Sequence, residues 1–219
     1  MLDLLDIKYR HLSELKSNEL FSLRKRVFKD RLNWMVNSQN EMEFDEYDNE
    51  RTTYVFGIHQ DTCVCSLRFI ETKYPNMITG TFRSWFSDYT LPEGNFVEAS
   101  RLFIDKERIS QLKLRQKPVS ALLFLSMINY ARHYKYEGIY AIVSHPMYLI
   151  FKRSGWEINV EAQSYSEKKE KIFLIFMPVD DRNQQILINL VKSKAPELQI
   201  TLDAWPLSFP VSQHRPDQL

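Results

Sequence analysis

Glycine is scarce in this chain, five in 219 residues. Phosphate loops of the Gly-x-Gly-x-x-Gly or Gly-Lys-Ser/Thr kind need glycines clustered where backbone amides approach the phosphate, and none occurs here, which excludes nucleotide cradles of those types. A Gly-x-Ser-x-Gly nucleophile elbow is also missing. Cys63 and Cys65 are the only cysteines. Two apart on a strand they point the same way, which suits neither a mutual disulfide nor a zinc site short of ligands, so both read as reduced, buried thiols. No stretch approaches the ~20 apolar residues that span a bilayer, and the opening Met1-Leu2-Asp3-Leu4-Leu5-Asp6 carries no basic leader; the expectation is a cytoplasmic protein without a membrane partner. A net charge of +1 supplies no field to attract nucleic acid.

Apolar residues make up 44% of the chain and aromatics 13%, ample for a core. Residues 3 to 9 alternate as a short strand, and Leu20, Leu23 and Val27 recur at helical spacing from Ser17 to Arg31. A polar loop from about Asn33 to Arg51 has no clear period, a length more often functional than accidental. Thr53 to Ile58 and Cys63 to Ile70 form a hairpin, and a break at Pro75 to Gly80 precedes an aromatic segment with Phe82, Trp85 and Phe86. Phe96 to Asp105 is a strand, and after the basic stretch Lys106 to Lys117 a long buried helix begins with Pro118 as its first residue and runs to about Tyr134. Ile139 to Ser144 is a strand, Met147 to Ser154 a short helix, Trp156 to Val160 and Ile172 to Met177 strands, and Asp180 to Val191 a helix before a proline-containing tail. No repeat or linker breaks the chain, so residues 1 to 219 read as one domain, a mixed α/β sheet covered by helices on both faces.

Charged residues sit where apolar ones are expected. Arg24 shares a helical stripe with Phe21 and Phe28, and a buried guanidinium needs carboxylates. The run Glu41 to Glu50 offers six, including Glu43, Asp45 and Asp48. Arg68 lies in an apolar strand, as do Glu98 and Arg101. In a regular strand Glu98 and Ser100 share a face and Arg101 points away; serving one site requires a β-bulge near Ala99 or Ser100. The acidic run lacks the Asp-x-Asp-x-Asp-Gly order of a calcium loop, so no metal is expected. His145, followed by Pro146, reads as a turn histidine.

Arg24-Lys25-Arg26-Val27-Phe28, Trp34, Glu43-Phe44-Asp45-Glu46-Tyr47-Asp48, Arg68 and Glu98-Ala99-Ser100-Arg101 together resemble the acyl-homoserine-lactone synthase family, the autoinducer synthases of bacterial quorum sensing. The likeness extends through Lys152-Arg153-Ser154-Gly155-Trp156 and covers roughly residues 1 to 180. It implies a three-layer α/β/α sandwich like that of the N-acetyltransferases, with a sheet splayed into a cleft. It also implies two substrates and no cofactor: S-adenosylmethionine, and an acyl chain on acyl carrier protein. The methionine amine is acylated, the lactone closes and methylthioadenosine leaves. Arg24, Phe28, Trp34, Glu43, Asp45, Asp48, Arg68, Ser100 and Arg101 become candidates for the S-adenosylmethionine pocket, although the arginines could equally hold the acidic loop in place. Glu98 is the first candidate for the base that takes the amine proton, Asp45 the second.

For carrier docking Lys152 and Arg153 are the leading candidates, with Lys106, Arg108, Lys113, Arg115 and Lys117 behind them. The family's 3-oxo preference goes with a threonine where this chain has Ala141; without that hydroxyl to donate, a 3-oxo oxygen would lose its hydrogen-bond partner, so an unsubstituted chain of about six carbons is expected. Phe124, Met127, Met147 and Phe151 could cap the acyl tunnel, or be plain core. The rivals are a coenzyme A-dependent N-acetyltransferase of the same fold, disfavoured because Lys106 to Lys117 has no glycine, and a non-catalytic signal-binding protein.

Overall fold

Leu2 and Leu4 alternate with half-buried partners and make β1 (Leu2–Lys8). In the computed structural model, which describes residues 1–196 and 199–211, Ser13 caps α1 (Glu14–Arg24) by accepting from the Lys16 amide at 3.3 Å. The helix thus begins before the apolar period does, because its first turn is exposed and carries no stripe. It then widens into a π-helical segment, Lys25–Arg31.

The loop expected to lack structure contains a small hairpin, β2 (Ser38–Gln39) against β3 (Met42–Glu43). Asn40 and Glu41 make its turn with φ of 50° and 61°, as a two-residue type I′ connection requires. The β4 (Thr52–His59) and β5 (Thr62–Glu71) hairpin and β6 (Phe96–Ile104) follow. The basic stretch holds α2 (Lys106–Gln111), capped by the Asp105 carboxylate on the amides of Glu107 and Arg108. Pro118 is the cap of α3 (Val119–His133) rather than its first residue. β7 (Gly138–Ser144), α4 (His145–Arg153), β8 (Asn159–Tyr165), β9 (Lys171–Pro178) and α5 (Asp181–Lys194) complete the expected order. His145 opens α4 rather than sitting in a turn. β8 starts later than expected: Trp156 is a core residue ahead of it, and the strand itself is an exposed edge with no apolar run to announce it.

The tail is not an appendage. Leu207–Phe209 forms β10 on the free edge of β1, Leu202, Leu207 and Phe209 enter the core, and Asn129 donates to the carbonyls of Leu202 and Ala204 at 2.7 and 3.0 Å. Three residues paired with a strand some two hundred positions away leave no local signal. Residues 212 to 219 of the tail lie outside the described chain.

The main sheet has eight strands in the order β10-β1-β4-β5-β6-β7-β9-β8, apart from the β2–β3 pair. Alternation, reversed where the register shifts, sorts their side chains: Val55, Leu67, Phe69, Val97 and Ala99 join α3 and α5 in the main core, while Tyr54, Phe56, Cys63 and Phe103 meet Leu20, Leu23, Val27 and Phe28 on the other face. The bulge opposite Gly57 and Ile58 thus separates Cys63 from Cys65, which lies in the main core, rather than leaving the two thiols on one face. Over β7 and β9 that second face is covered by the aromatic segment, with Phe82, Trp85, Phe86 and Tyr89 on Tyr140, Leu174 and Phe176. β6 and β7 are parallel and pair only at Phe96–Gly138, Val97–Ile139 and Glu98–Tyr140. Past that point their register ends, and the sheet opens beside Glu98.

Candidate active site

Three arginines and three carboxylates meet on the α1 face at this opening. Arg24 comes from the last turn of α1. Its Nε donates to Glu43 Oε2 at 2.5 Å, and its two terminal nitrogens form a fork on Asp48 at 2.7 and 3.0 Å. Arg68, on β5, donates to Asp45 at 2.5 and 3.2 Å, to Asp48 at 3.0 Å and to Ser100 Oγ at 3.1 Å. Arg101, on β6, donates from Nε to Glu43 at 3.0 Å and from Nη2 to Asp45 at 2.8 Å. Arg24, Arg68, Glu43 and Asp48 are buried to within 2% of their side-chain surface, whereas Arg101 and Asp45 retain 10% and 11%. Three positive and three negative charges cancel, which is what permits so many ions to be buried together.

The bulge expected near Ala99 or Ser100 is present one step further on. Ser66 faces Phe103 and Arg68 faces Ser100, so Arg101 and Leu102 together oppose Leu67. Arg101 has φ 54°, a left-handed conformation that a side chain adopts only at a cost of about 1–3 kcal/mol. This turns Arg101 onto the face of Glu98 and Ser100. Among the described residues its Nη1 meets no carboxylate, only Met77 Sδ at 3.3 Å.

Electrostatics follow the geometry. Burial pushes the Asp48 carboxyl up, but the Arg24 and Arg68 guanidiniums and the Asp45 amide outweigh it and hold Asp48 well below the carboxylate range. Glu98 moves the other way. Fully buried, its carboxyl is raised by desolvation, opposed in part by Arg68 and by the amides of Ile78 and Met77; the Ile78 amide donates to it at 3.2 Å. Burial and then the Asp48 carboxylate raise the Tyr54 phenol, which donates to Asp48 at 2.7 Å. Tyr54 was legible in principle, since a tyrosine inside an apolar strand needs a partner for its hydroxyl. The turn at residues 76 to 81 was not, because its partners come from other strands.

Phe28 lies beside the cluster with the Arg101 guanidinium carbon 5.8 Å from its ring centre. Trp34 stacks on Phe28 at 5.1 Å and 19°, its backbone amide held by the Phe28 carbonyl at 2.8 Å, and 43% of it is exposed. These rings give the cluster an aromatic, open side.

Residues 8–187 match the family model described as autoinducer synthase. The chain belongs to the autoinducer synthase family. It is 59% identical over 199 residues to an acyl-homoserine-lactone synthase of Serratia liquefaciens, covering 90% of this chain and 100% of that one. The fold matches a coenzyme A-dependent acyl-homoserine lactone synthase, BjaI, solved with S-adenosylmethionine and isopentyl-CoA, with TM-score 0.77 at 18% identity over 87% of this chain and 90% of that one. An acyl-CoA N-acyltransferase from Pseudomonas aeruginosa follows with TM-score 0.55 at 14% identity, over 80% and 99%. At such identities the likeness is one of fold. The family match and the 59% identity to the Serratia synthase make the protein an acyltransferase, an acyl-homoserine-lactone synthase, and the non-catalytic and general acetyltransferase readings fall away.

In this synthase Ala141 faces the main core on β7, where Phe124 and Phe151 stack at 4.6 Å and Met127 is fully buried; Met147 on α4 is only half-buried. Lys152 and Arg153 are exposed on the last turn of α4, with the Lys152 ammonium 5.8 Å from the Tyr148 ring centre. Within the second basic group Arg108 is already occupied: it pairs with Glu19 and donates to the Cys63 carbonyl at 2.9 Å. No cluster of His, Cys, Asp and Glu suited to a metal occurs among the described residues, and no described helix is long and apolar enough to cross a membrane.

Proposed function

We propose that the synthase acylates the amine of S-adenosylmethionine with an unsubstituted chain of about six carbons carried as a thioester on acyl carrier protein, then closes the lactone. The amine nitrogen attacks the thioester carbonyl and gives its proton to Glu98, directly or through water, while the carrier's thiol leaves. The methionine carboxylate then attacks the carbon bonded to the sulfonium, and methylthioadenosine departs with the electron pair of the broken bond.

The observation that carries this reading is a buried carboxyl with raised proton affinity, Glu98, at the point where β6 and β7 part. A carboxyl whose proton affinity burial raises, beside an opening in the sheet, suits proton removal from an attacking amine. Asp45 fits the role less well, since both of its oxygens are taken by Arg68 and Arg101. Arg101 Nη1, without a carboxylate among the described residues, is the donor left for the substrate's own carboxylate. Phe28 and Trp34 offer faces to the sulfonium and adenine.

The test supplies purified protein with S-adenosylmethionine and either hexanoyl carrier protein or hexanoyl coenzyme A, and follows lactone and methylthioadenosine by mass spectrometry. Lactone from the carrier-bound donor is expected. Turnover with coenzyme A alone would assign the donor named for BjaI instead, and a preference for 3-oxo donors would overturn the reading of Ala141.

A further inference from the structure

Between β5 and β6 the chain makes a turn whose centre, Asn76, is fully buried although polar. Asn76 Oδ1 accepts from the amides of Ile78 and Thr79 at 3.0 and 3.1 Å, and Nδ2 donates to the carbonyls of Thr72 and Tyr74 at 3.3 and 2.9 Å. The Thr79 hydroxyl closes the ring, accepting from the Asn76 amide at 3.2 Å and donating to its carbonyl at 3.3 Å. An amide satisfied at both ends by its own turn selects one backbone conformation among many.

That conformation points outward from the turn at three parts of the site. The Ile78 amide, shared with Asn76, also donates to Glu98 Oε2 at 3.2 Å, and the Met77 amide faces the same carboxylate. Met77 Sδ lies under Arg101 Nη1. The Thr81 amide donates at 3.0 Å to the Tyr47 hydroxyl, which belongs to the acidic loop. The Ile78 amide is divided between the Asn76 side chain and Glu98; the Met77 and Thr81 contacts depend on the shape that Asn76 imposes on the turn.

We infer that Asn76 is a positioning residue for acylation: it holds the Met77 and Ile78 amides against Glu98 and so orients the carboxylate that takes the amine proton. The inference rests on Glu98 being the base. Amides donating to a carboxylate favour its ionised form, so loosening the turn makes Glu98 hold its proton to higher pH.

The experiment compares pH profiles of kcat for the wild type, Asn76→Ala, Thr79→Val and Glu98→Gln, with KM for both substrates. Asn76→Ala is expected to lower kcat at neutral pH roughly tenfold, the loss of about one charge-assisted hydrogen bond, to leave both KM values within about twofold, and to move the acid limb to higher pH. Thr79 is exposed, so Thr79→Val keeps the fold and should move the limb the same way by less; it decides alone if Asn76→Ala does not fold. A purely structural Asn76 would lower the melting temperature and leave the limb in place, which overturns the inference. Glu98→Gln separates the two claims. If it abolishes the limb while the turn variants leave it unmoved, only the role of Asn76 fails; if it retains the wild-type limb, the assignment of the base fails as well.

Discussion

Replacing Asp48 by asparagine tests whether the charge cluster is balanced as its geometry implies. Asp48 accepts from Arg24 twice, from Arg68, from the Tyr54 hydroxyl and from the Asp45 amide. Asparagine keeps the shape and removes one negative charge, leaving three buried guanidiniums against two carboxylates, and turns an NH2 group toward donors. Removing one partner of a buried ion pair costs about 3–5 kcal/mol. For a chain of this size that is a fall in melting temperature of roughly 6–20 °C, out of a total stability on the order of 5–15 kcal/mol. Calorimetry and urea titration at pH 7 would measure it. Adding Arg24→Met restores neutrality, so the double variant should be less destabilised than the sum of the single changes by about 0.5–3 kcal/mol. The pH dependence has a definite sign. Asp48 is depressed below its ordinary 3.8, so its contribution is present above that value and is lost as pH falls further; Asp48→Asn should flatten the acid side of the stability curve. A melting temperature within about 2 °C of wild type, or strict additivity in the cycle, would refute the cluster as a coupled unit.

Other outcomes follow from single contacts. Glu98→Gln should cut acylation by a factor on the order of 10²–10⁴. Because burial raises the Glu98 carboxyl above its ordinary 4.5, its ionisation weakens the fold as pH rises through the raised value, so the variant's melting temperature at pH 8 should not fall below that of wild type; a large drop would mean the carboxylate is needed for folding. Trp34→Ala removes a half-exposed ring stacked on Phe28 and should weaken S-adenosylmethionine binding by about 0.5–2 kcal/mol in calorimetric titration with little change in melting temperature; unaltered affinity would remove Trp34 from the pocket. Charge reversal at Lys152 and Arg153 should raise KM for the carrier-bound donor and flatten its salt dependence, and an unchanged constant would move docking elsewhere.

Much of the scaffold and most of the cluster were legible before any coordinates. Arg24, Arg68 and Arg101 announce themselves as ions at apolar positions, and the acidic run as their counterweight, because burial of unpaired charge is prohibitive at any fold. The near-continuous apolar runs of α3 and β5 have the same origin in burial. Elements carrying no apolar pattern were missed or displaced: the exposed first turn of α1, the edge strand β8, and the β2–β3 hairpin that turns on Asn40 and Glu41 rather than on glycine.

The sequence by itself determined that charged groups must pair inside this protein, which residues they were, and that Glu98 and Arg101 could share a face only through a bulge. Only the tertiary structure decided who pairs with whom: the acids close a neutral network in which Arg101 alone leaves a terminal guanidinium nitrogen, Nη1, on a thioether rather than a carboxylate. It also decided that the turn around Asn76 sets the Ile78 amide on Glu98 and that Leu207–Phe209 pair with β1. The physical reason is one of range. Hydrophobic period and the cost of a lone buried charge act residue by residue and leave their mark along the chain, whereas the partner of a hydrogen bond is chosen by strands distant in sequence and adjacent only once the sheet has formed.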